Sequence, residues 1–385
     1  MSADRLFIDL NNACSKLLRY PSRDILLIFH DDADGISSGA ILYKALRDMG
    51  FNIKLVCIEK LMDQIIKYIH SGSERIIIYA DIGSPHADKI SKYNMGKNLV
   101  IILDHHDPRE STDPEVLNIN PEFYGMEGER DASGSVMAYL FAKALDESNT
   151  NLAYIALIGA QEIPTGIGTL TRIAYEDSRR YQVNIDYKEM FKILQILGSV
   201  GYYDNGPIEG IKVCLEGISD DIRQKIKRYE EMRKNANRRM LSILHKYGLR
   251  RERYIQWFDS YNVYSGMGTK VIGTFCSYLS YQRRLIDDMK YIIGLMKMPN
   301  EIPGLMKLEG MWVKISGRAP ERLRRLIESG RYPGLVDFMV PASEEVGGIG
   351  DGHKYAASVV IPLDKRFEYI KLIDSIIDEM LKSKK

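Results

Sequence analysis

Leu99–Pro108 reads LVIILDHHDP, five apolar residues followed at once by an acid, two imidazoles and a second acid. An unbroken apolar run this short has no polar face to turn to water, so it reads as a strand covered on both sides. The break at Asp104 puts the polar cluster at the carboxyl end of that strand. Working outward, the same arrangement occurs twice more, in Arg75–Ser84 (RIIIYADIGS) and in Ile25–Gly35 (ILLIFHDDADG). Strands are expected at Ile25–Phe29, Phe51–Ile58, Arg75–Tyr79 and Leu99–Leu103, with amphipathic helices from about Ser37 to Met49 and around Met62–Ile69. Apolar strands alternating with helical periodicity predict an α/β domain with a doubly wound, mostly parallel sheet.

Downstream the pattern changes. Residues Ser135–Gly201 are mainly helical, and Asp220–Tyr247 forms one long charged helix without glycine or proline. After it, Tyr254–Tyr264, Gly268–Phe275, Gly310–Ile315 and Ala356–Ile361 read as strands of a smaller α+β domain. The expected organisation is a first domain over 1–218, a linker helix over 219–249 and a second domain over 250–385. With 53 basic and 52 acidic residues, the 385-residue chain has a formal net charge of +1 and no overall positive field. An anionic partner must therefore meet a local basic patch. Four widely spaced cysteines form no CxxC pair, and no segment approaches the roughly 18 consecutive apolar residues of a membrane span. The expected location is cytoplasmic.

In an open α/β sheet the carboxyl ends of parallel strands line one crevice, so the three polar clusters can converge there. Carboxylate oxygen and imidazole nitrogen suit manganese or magnesium better than thiolate-seeking metals. Two such ions could polarise a phosphoryl group and lower the pKa of a water between them. Single residues carry plainer readings too. Asp32 and Asp34 are ordinary helix caps, and Asp81 is an ordinary turn residue. The His105–His106 pair between Asp104 and Asp107 is much harder to assign to packing. Four of the seven histidines lie in these clusters or in the Gly-Asp-Gly-His stretch near the C-terminus.

These motifs resemble the DHH phosphoesterase superfamily, and within it the archaeal RecJ-like nucleases. His30, Asp32 and Asp34 resemble the first motif, Asp81 the second, and Asp104-His105-His106 the third. Ile315–Arg318 (ISGR) and Gly350–Ala357 (GDGHKYAA) look like the phosphate-contacting motifs of the DHH-associated domain. The resemblance implies a DHH domain joined by a long helix to that smaller domain. It further implies that His30 and Asp32 hold one metal, Asp34 and His105 another, and that Asp81 bridges both. Asp104 would orient the neighbouring imidazoles, and His106 would face the substrate phosphate. In the second domain Ser316, Arg318, Gly352 and His353 would grip a phosphate away from the scissile one.

Two positions depart from that pattern. Where the family carries a fourth metal-binding aspartate after a helix, Ala156–Ile163 reads ALIGAQEI, which places Ile163 at the ligand position and Glu162 one residue before it. Asp351 stands where a glycine is usual. Basic clusters at Arg238–Arg239, Arg250–Arg253, Arg283–Arg284 and Arg322–Arg325, with Tyr247, Tyr254, Trp257, Tyr261, Tyr278 and Tyr281 nearby, form either a single-strand channel or solvated faces. The leading expectation is a manganese- or magnesium-dependent exonuclease acting on single-stranded DNA or RNA in replication or repair. The alternatives are a catalytically weakened RecJ-like scaffold bound to GINS and the replicative helicase, and an oligoribonucleotide or cyclic dinucleotide phosphodiesterase.

Overall fold

The computed structural model describes residues 2–163, 166–181 and 185–383. The chain packs as two units. One runs to Lys227 and includes Ile302–Met306; the other holds Arg228–Glu301 and the chain from Lys307 onward.

The first unit is built on β1 (Asp24–His30), β2 (Asn52–Ile58), β3 (Ile76–Ala80), β4 (Leu99–Leu103) and β5 (Val116–Ile119), all parallel, in the order β2-β1-β3-β4-β5. Its helices are α1 (Ser2–Arg19), α2 (Ala33–Asp48), α3 (Asp63–Ile69), α4 (Ala87–Asn94), α5 (Gly128–Asp131), α6 (Gly134–Leu145), α7 (Ala153–Gly159), α8 (Thr169–Ser178), α9 (Tyr187–Ser199) and α10 (Gly206–Glu216). Every residue of β3 and β4 is buried, as unbroken apolar runs require. The doubly wound parallel sheet expected from the three strand–cluster repeats is therefore present. β5 (VLNI) was not anticipated, because four residues with a polar third position carry little strand signal.

The 28-residue α11 (Asp220–Tyr247) has the predicted bounds. The second unit contains a mixed six-stranded sheet, β12-β13-β11-β8-β7-β6. Its strands are β6 (Arg250–Arg251), β7 (Ile255–Asp259), β8 (Tyr291–Lys297), β11 (Trp312–Arg318), β12 (Ile349–His353) and β13 (Ala356–Pro362). The short β9 (Glu301–Ile302) and β10 (Met306–Lys307) pair with each other. One expectation is overturned here. Gly268–Phe275 is not a strand, since Lys270–Leu279 forms helix α12. Its β-branched residues imitate a strand locally, yet Val271, Ile272, Gly273, Phe275, Cys276 and Leu279 are the buried ones, which is helical spacing. Topology requires the helix as well, because β7 and β8 are parallel neighbours and need a crossover between them.

Alternation along β11 gives this sheet two different faces. Val313 and Ile315 join the core formed with α13 (Glu321–Glu328), α14 (Leu335–Glu345) and α15 (Arg366–Lys382), including Leu335, Phe338 and Tyr369. Lys314, Ser316 and Arg318 point the other way, where α12 packs on the sheet.

Candidate metal centre and anion grip

The strand order β2-β1-β3 reverses direction between β1 and β3, and a ligand crevice opens outside the carboxyl ends at such a point. β1 ends on His30, β3 is followed by Asp81, and β4 by Asp104-His105-His106. Two sets of potential ligand atoms lie within 4.8 Å of one another, His30 with Asp32 and Asp81, and Asp81 with His105 and His106. Asp81 belongs to both. His30 Nδ1 is 2.8 Å from Asp32 Oδ2 and 3.7 Å from Asp81 Oδ2. His105 Nε2 is 3.4 Å from Asp81 Oδ1 and 3.8 Å from Asp34 Oδ2.

Local structure explains how each side chain is aimed. Asp32 Oδ1 caps α2 by accepting from the Gly35 amide at 2.9 Å, which leaves Oδ2 beside His30. The cap and ligand readings thus use different oxygens of one carboxylate. Asp81 sits at φ +60°, in the left-handed region that aspartate tolerates better than most residues. Asp34 is fully buried, with Oδ2 accepting from the Gly134 amide at 2.7 Å and Oδ1 from the Ser135 amide at 3.0 Å. These are the first amides of α6, whose N-terminus favours a negative charge. The Asp104 carboxylate accepts from the His106 ring at 2.7 Å, the Ser84 amide at 2.9 Å and the His105 amide at 2.8 Å. The His105 ring is held elsewhere. Its Nδ1 donates to the Gly128 carbonyl at 3.1 Å, which turns Nε2 toward Asp34 and Asp81.

Crowding these groups shifts their protonation. Burial, then the charges of Asp34, Asp32, Asp104 and Glu162, raise the Asp81 carboxyl well above its ordinary range. Burial followed by the charge of His106 lowers His105. Burial would push His106 down too, but the charge and hydrogen bond of Asp104 prevail and raise it to about 9. Buried His30 Nδ1 and Asp81 Oδ1 make no hydrogen bond, so the 2.8 Å approach of His30 to Asp32 lies off the hydrogen-bonding direction. Orphaned ligand atoms among mutually repelling carboxylates fit a divalent cation, which would supply the missing contacts and positive charge.

Of the two residues considered for a fourth ligand, Ile163 is buried and offers no donor atom. Glu162 is exposed at the end of a short 3₁₀ turn, and its charge acts on both Asp81 and His106.

Several positioning residues escaped the sequence reading. A Cβ on Gly134 would fall 2.3 Å from Asp81 Oδ1, and one on Gly159 would fall 2.3 Å from Asp34 Oδ1. One on Gly128 would meet the His105 carbonyl oxygen at 1.9 Å. Ser133 was legible as a helix cap before an apolar run, and its side chain does accept from the Val136 amide. Nothing local, however, says that the same helix start clasps Asp34, 100 residues earlier in the chain.

In the second unit, β11, β13 and β12 align in rows. Ser316 pairs with Ser358 and Ser358 with Asp351, while Arg318 pairs with Ala356 and Ala356 with His353. Paired residues project to one face, so Ser316, Arg318 and His353 share it. Gly352 occupies the intervening row at φ +148°, where a Cβ would strike Ala357. Asp351 lies on the same face as the serines, its carboxylate 3.5 Å from Ser358 Oγ. Arg318 Nε donates to Ser277 Oγ at 2.8 Å and Nη1 to the Gly317 carbonyl at 2.8 Å. Burial, the leading influence, lowers its pKa. Among the described residues Arg318 has no carboxylate partner, and Nη2 has no acceptor. A guanidinium fixed by neutral groups keeps donors that an anion could use.

Residues 24–160 match the DHH family, N-terminal domain. An uncharacterised protein of Methanocaldococcus jannaschii is 24% identical over 426 residues, covering 93% of this chain and 94% of that one. Among solved structures, the manganese complex of RecJ from Thermus thermophilus aligns at TM-score 0.64 and 15% identity over 96% of this chain. The present chain spans 55% of that RecJ chain. A DHH domain from a protein assigned to a family of ribosomal proteins aligns at TM-score 0.66 and 16% identity, over 99% of this chain and 92% of that one. CDC45 from Entamoeba histolytica aligns at TM-score 0.57 and 12% identity, over 97% of this chain and 98% of that one.

Proposed function

We propose that this protein is a metal-dependent phosphodiesterase, an exonuclease that hydrolyses single-stranded DNA or RNA. The observation that carries the reading is the place of Asp81 in both ligand groups. A carboxylate shared between two sets is what a pair of adjacent cations requires. When bound, two manganese or magnesium ions would polarise the scissile phosphoryl group and lower the pKa of the attacking water. His30, Asp32 and Asp81 would hold one ion, and Asp34, Asp81 and His105 the other. The α6 amides fix the Asp34 carboxylate in place. His106 lies within ligand range, but its raised pKa favours a second role, as a cation that donates from Nε2 to a phosphate oxygen. Its side chain is 47% exposed, so an anion can reach it. Ser316, Arg318, Gly352 and His353 form a separate phosphate grip in the second unit. Two anion-directed sites in one chain suit a polymeric phosphodiester better than a single small phosphate.

A second reading has one specific observation in its favour. Ile163 is turned into the core, leaving the second ion without the ligand that the family resemblance leads one to expect. Full-length likeness to CDC45 accords with a scaffold of the replication machinery, bound to GINS and the replicative helicase, whose nuclease site has weakened.

One assay separates these readings. The protein is incubated with manganese and end-labelled single-stranded DNA, RNA and dinucleotides, beside Asp81→Ala. Trimming of the strands that Asp81→Ala abolishes supports the exonuclease. Cleavage of dinucleotides alone indicates the small-substrate phosphodiesterase. No metal-dependent cleavage leaves the scaffold, for which co-purification with GINS subunits is the direct check.

A further inference from the structure

Gly273 and Ser277 are four apart on α12 and lie along one stripe, with Tyr281 four residues further on in the turn that follows the helix. Both members of that stripe sit against the anion grip. A Cβ on Gly273 would lie 3.1 Å from Arg318 Nη2 and 3.3 Å from Ser316 Oγ, and Ser277 Oγ holds Arg318 Nε at 2.8 Å. α12 ends at Leu279 and a tighter turn follows, with the Tyr281 amide donating to the Tyr278 carbonyl at 3.2 Å. Tyr281 comes four residues after Ser277, whose hydroxyl already holds the guanidinium. Four residues of helix advance about 6 Å, a span that one sugar can bridge between a phosphate and its base.

Tyrosines of this chain divide into buried and exposed sets, and Tyr247 and Tyr261 are exposed to a similar degree as the two rings here. Tyr79, Tyr139, Tyr202, Tyr229, Tyr264, Tyr291 and Tyr369 are fully buried, whereas Tyr281 is 69% and Tyr278 45% exposed. Tyr278 and Phe275 make a tilted ring contact with centroids 6.2 Å apart, and among the described residues Tyr281 stacks on no ring and carries no cation over its face. Exposed Arg283 and Arg284 follow after Gln282.

Resting on the phosphate reading of Arg318, we infer that Tyr281, supported by Tyr278, is a stacking platform for the nucleobase attached to the phosphate held there. The ligand class is a single-stranded oligonucleotide bound through backbone and base face together. Every base presents a π-face, so the platform is tolerant of sequence.

The test is a binding titration without divalent metal, using a labelled oligothymidylate and an abasic deoxyribose-phosphate oligomer of equal length. The expected result is that Tyr281→Ala weakens oligothymidylate binding about tenfold and leaves abasic binding unchanged. Tyr281→Trp restores it, and Arg318→Lys weakens both ligands. Equal loss for both ligands on Tyr281→Ala, or no loss for either, overturns the platform while the phosphate grip stands. If the unaltered protein binds neither oligomer, or Arg318→Lys changes neither, the phosphate reading fails and takes the platform with it.

Discussion

His106 donates from Nδ1 to Asp104 Oδ1 at 2.7 Å, and this bond divides two adjacent imidazoles into different jobs. His105, anchored by a backbone carbonyl instead, turns its free nitrogen inward to Asp34 and Asp81. His106, charged through its acid partner, faces outward.

Asp104→Asn should therefore impair His106 and spare ion binding. Burial is already the largest single influence on His106, so without the carboxylate that opposes it the pKa drops below the present value of about 9. Turnover should fall roughly 10- to 100-fold, as for loss of other groups that orient a site. Histidine NMR titration of the metal-free variant reads the pKa, and calorimetry with manganese reads the stoichiometry. An unmoved His106 would sink this account.

Asp81→Asn should stabilise the metal-free protein. The native carboxyl is raised, so the folded state holds its proton more tightly than the unfolded chain does. Stability is then full below the unfolded aspartate pKa and declines as pH climbs toward the folded value. Asparagine removes that slope, along with repulsion from Asp34 and Asp32. A gain of about 1–2 kcal/mol near neutral pH is expected in urea denaturation. Added manganese should raise the melting temperature of the native protein and not that of the variant.

Gly134→Ala tests the clasp between α6 and the crevice. Its new methyl would meet Asp81 Oδ1 at 2.3 Å, so either the helix start or the carboxylate must move. Destabilisation of about 1–3 kcal/mol is expected, with weaker manganese binding. Unchanged affinity in a destabilised variant would show that the helix yields and the ligand does not.

His70 supplies a pH dependence away from the crevice. Its Nε2 lies 2.9 Å from the Tyr79 hydroxyl and its Nδ1 3.1 Å from Asn94 Oδ1, a buried arrangement that suits the neutral ring. Burial, partly opposed by the Asn94 bond, lowers its pKa from 6.5 to about 4. The unfolded chain binds the proton more readily, so this contribution is intact above pH 6.5 and is lost as pH falls toward 4. The loss should reach about 3 kcal/mol, and His86, lowered mainly by burial, acts in the same direction. Urea midpoints at about pH 7.5 and 4.5 should differ less for His70→Gln than for the native chain.

Much of the first unit was legible because its signals are local. An apolar run such as Leu99–Leu103 can only be a buried strand, and a polar cluster starting just past its last residue must lie at the sheet's carboxyl edge. Gly268–Phe275 reads as a strand for a related reason. Its β-branched residues report a local preference, while the requirement for a crossover helix comes from β7 and β8 lying parallel, which no local stretch records.

By itself the sequence determined the ligand chemistry, the doubly wound sheet and the long helix, since composition and periodicity act over a few neighbouring residues. Tertiary structure alone decided which oxygens are spent on caps and which remain for a cation. It placed the α6 amides on Asp34, turned Ile163 into the core and put the α12 stripe beside Arg318. Those outcomes depend on close approach between residues distant in the chain, and the geometry of such an approach is set by packing.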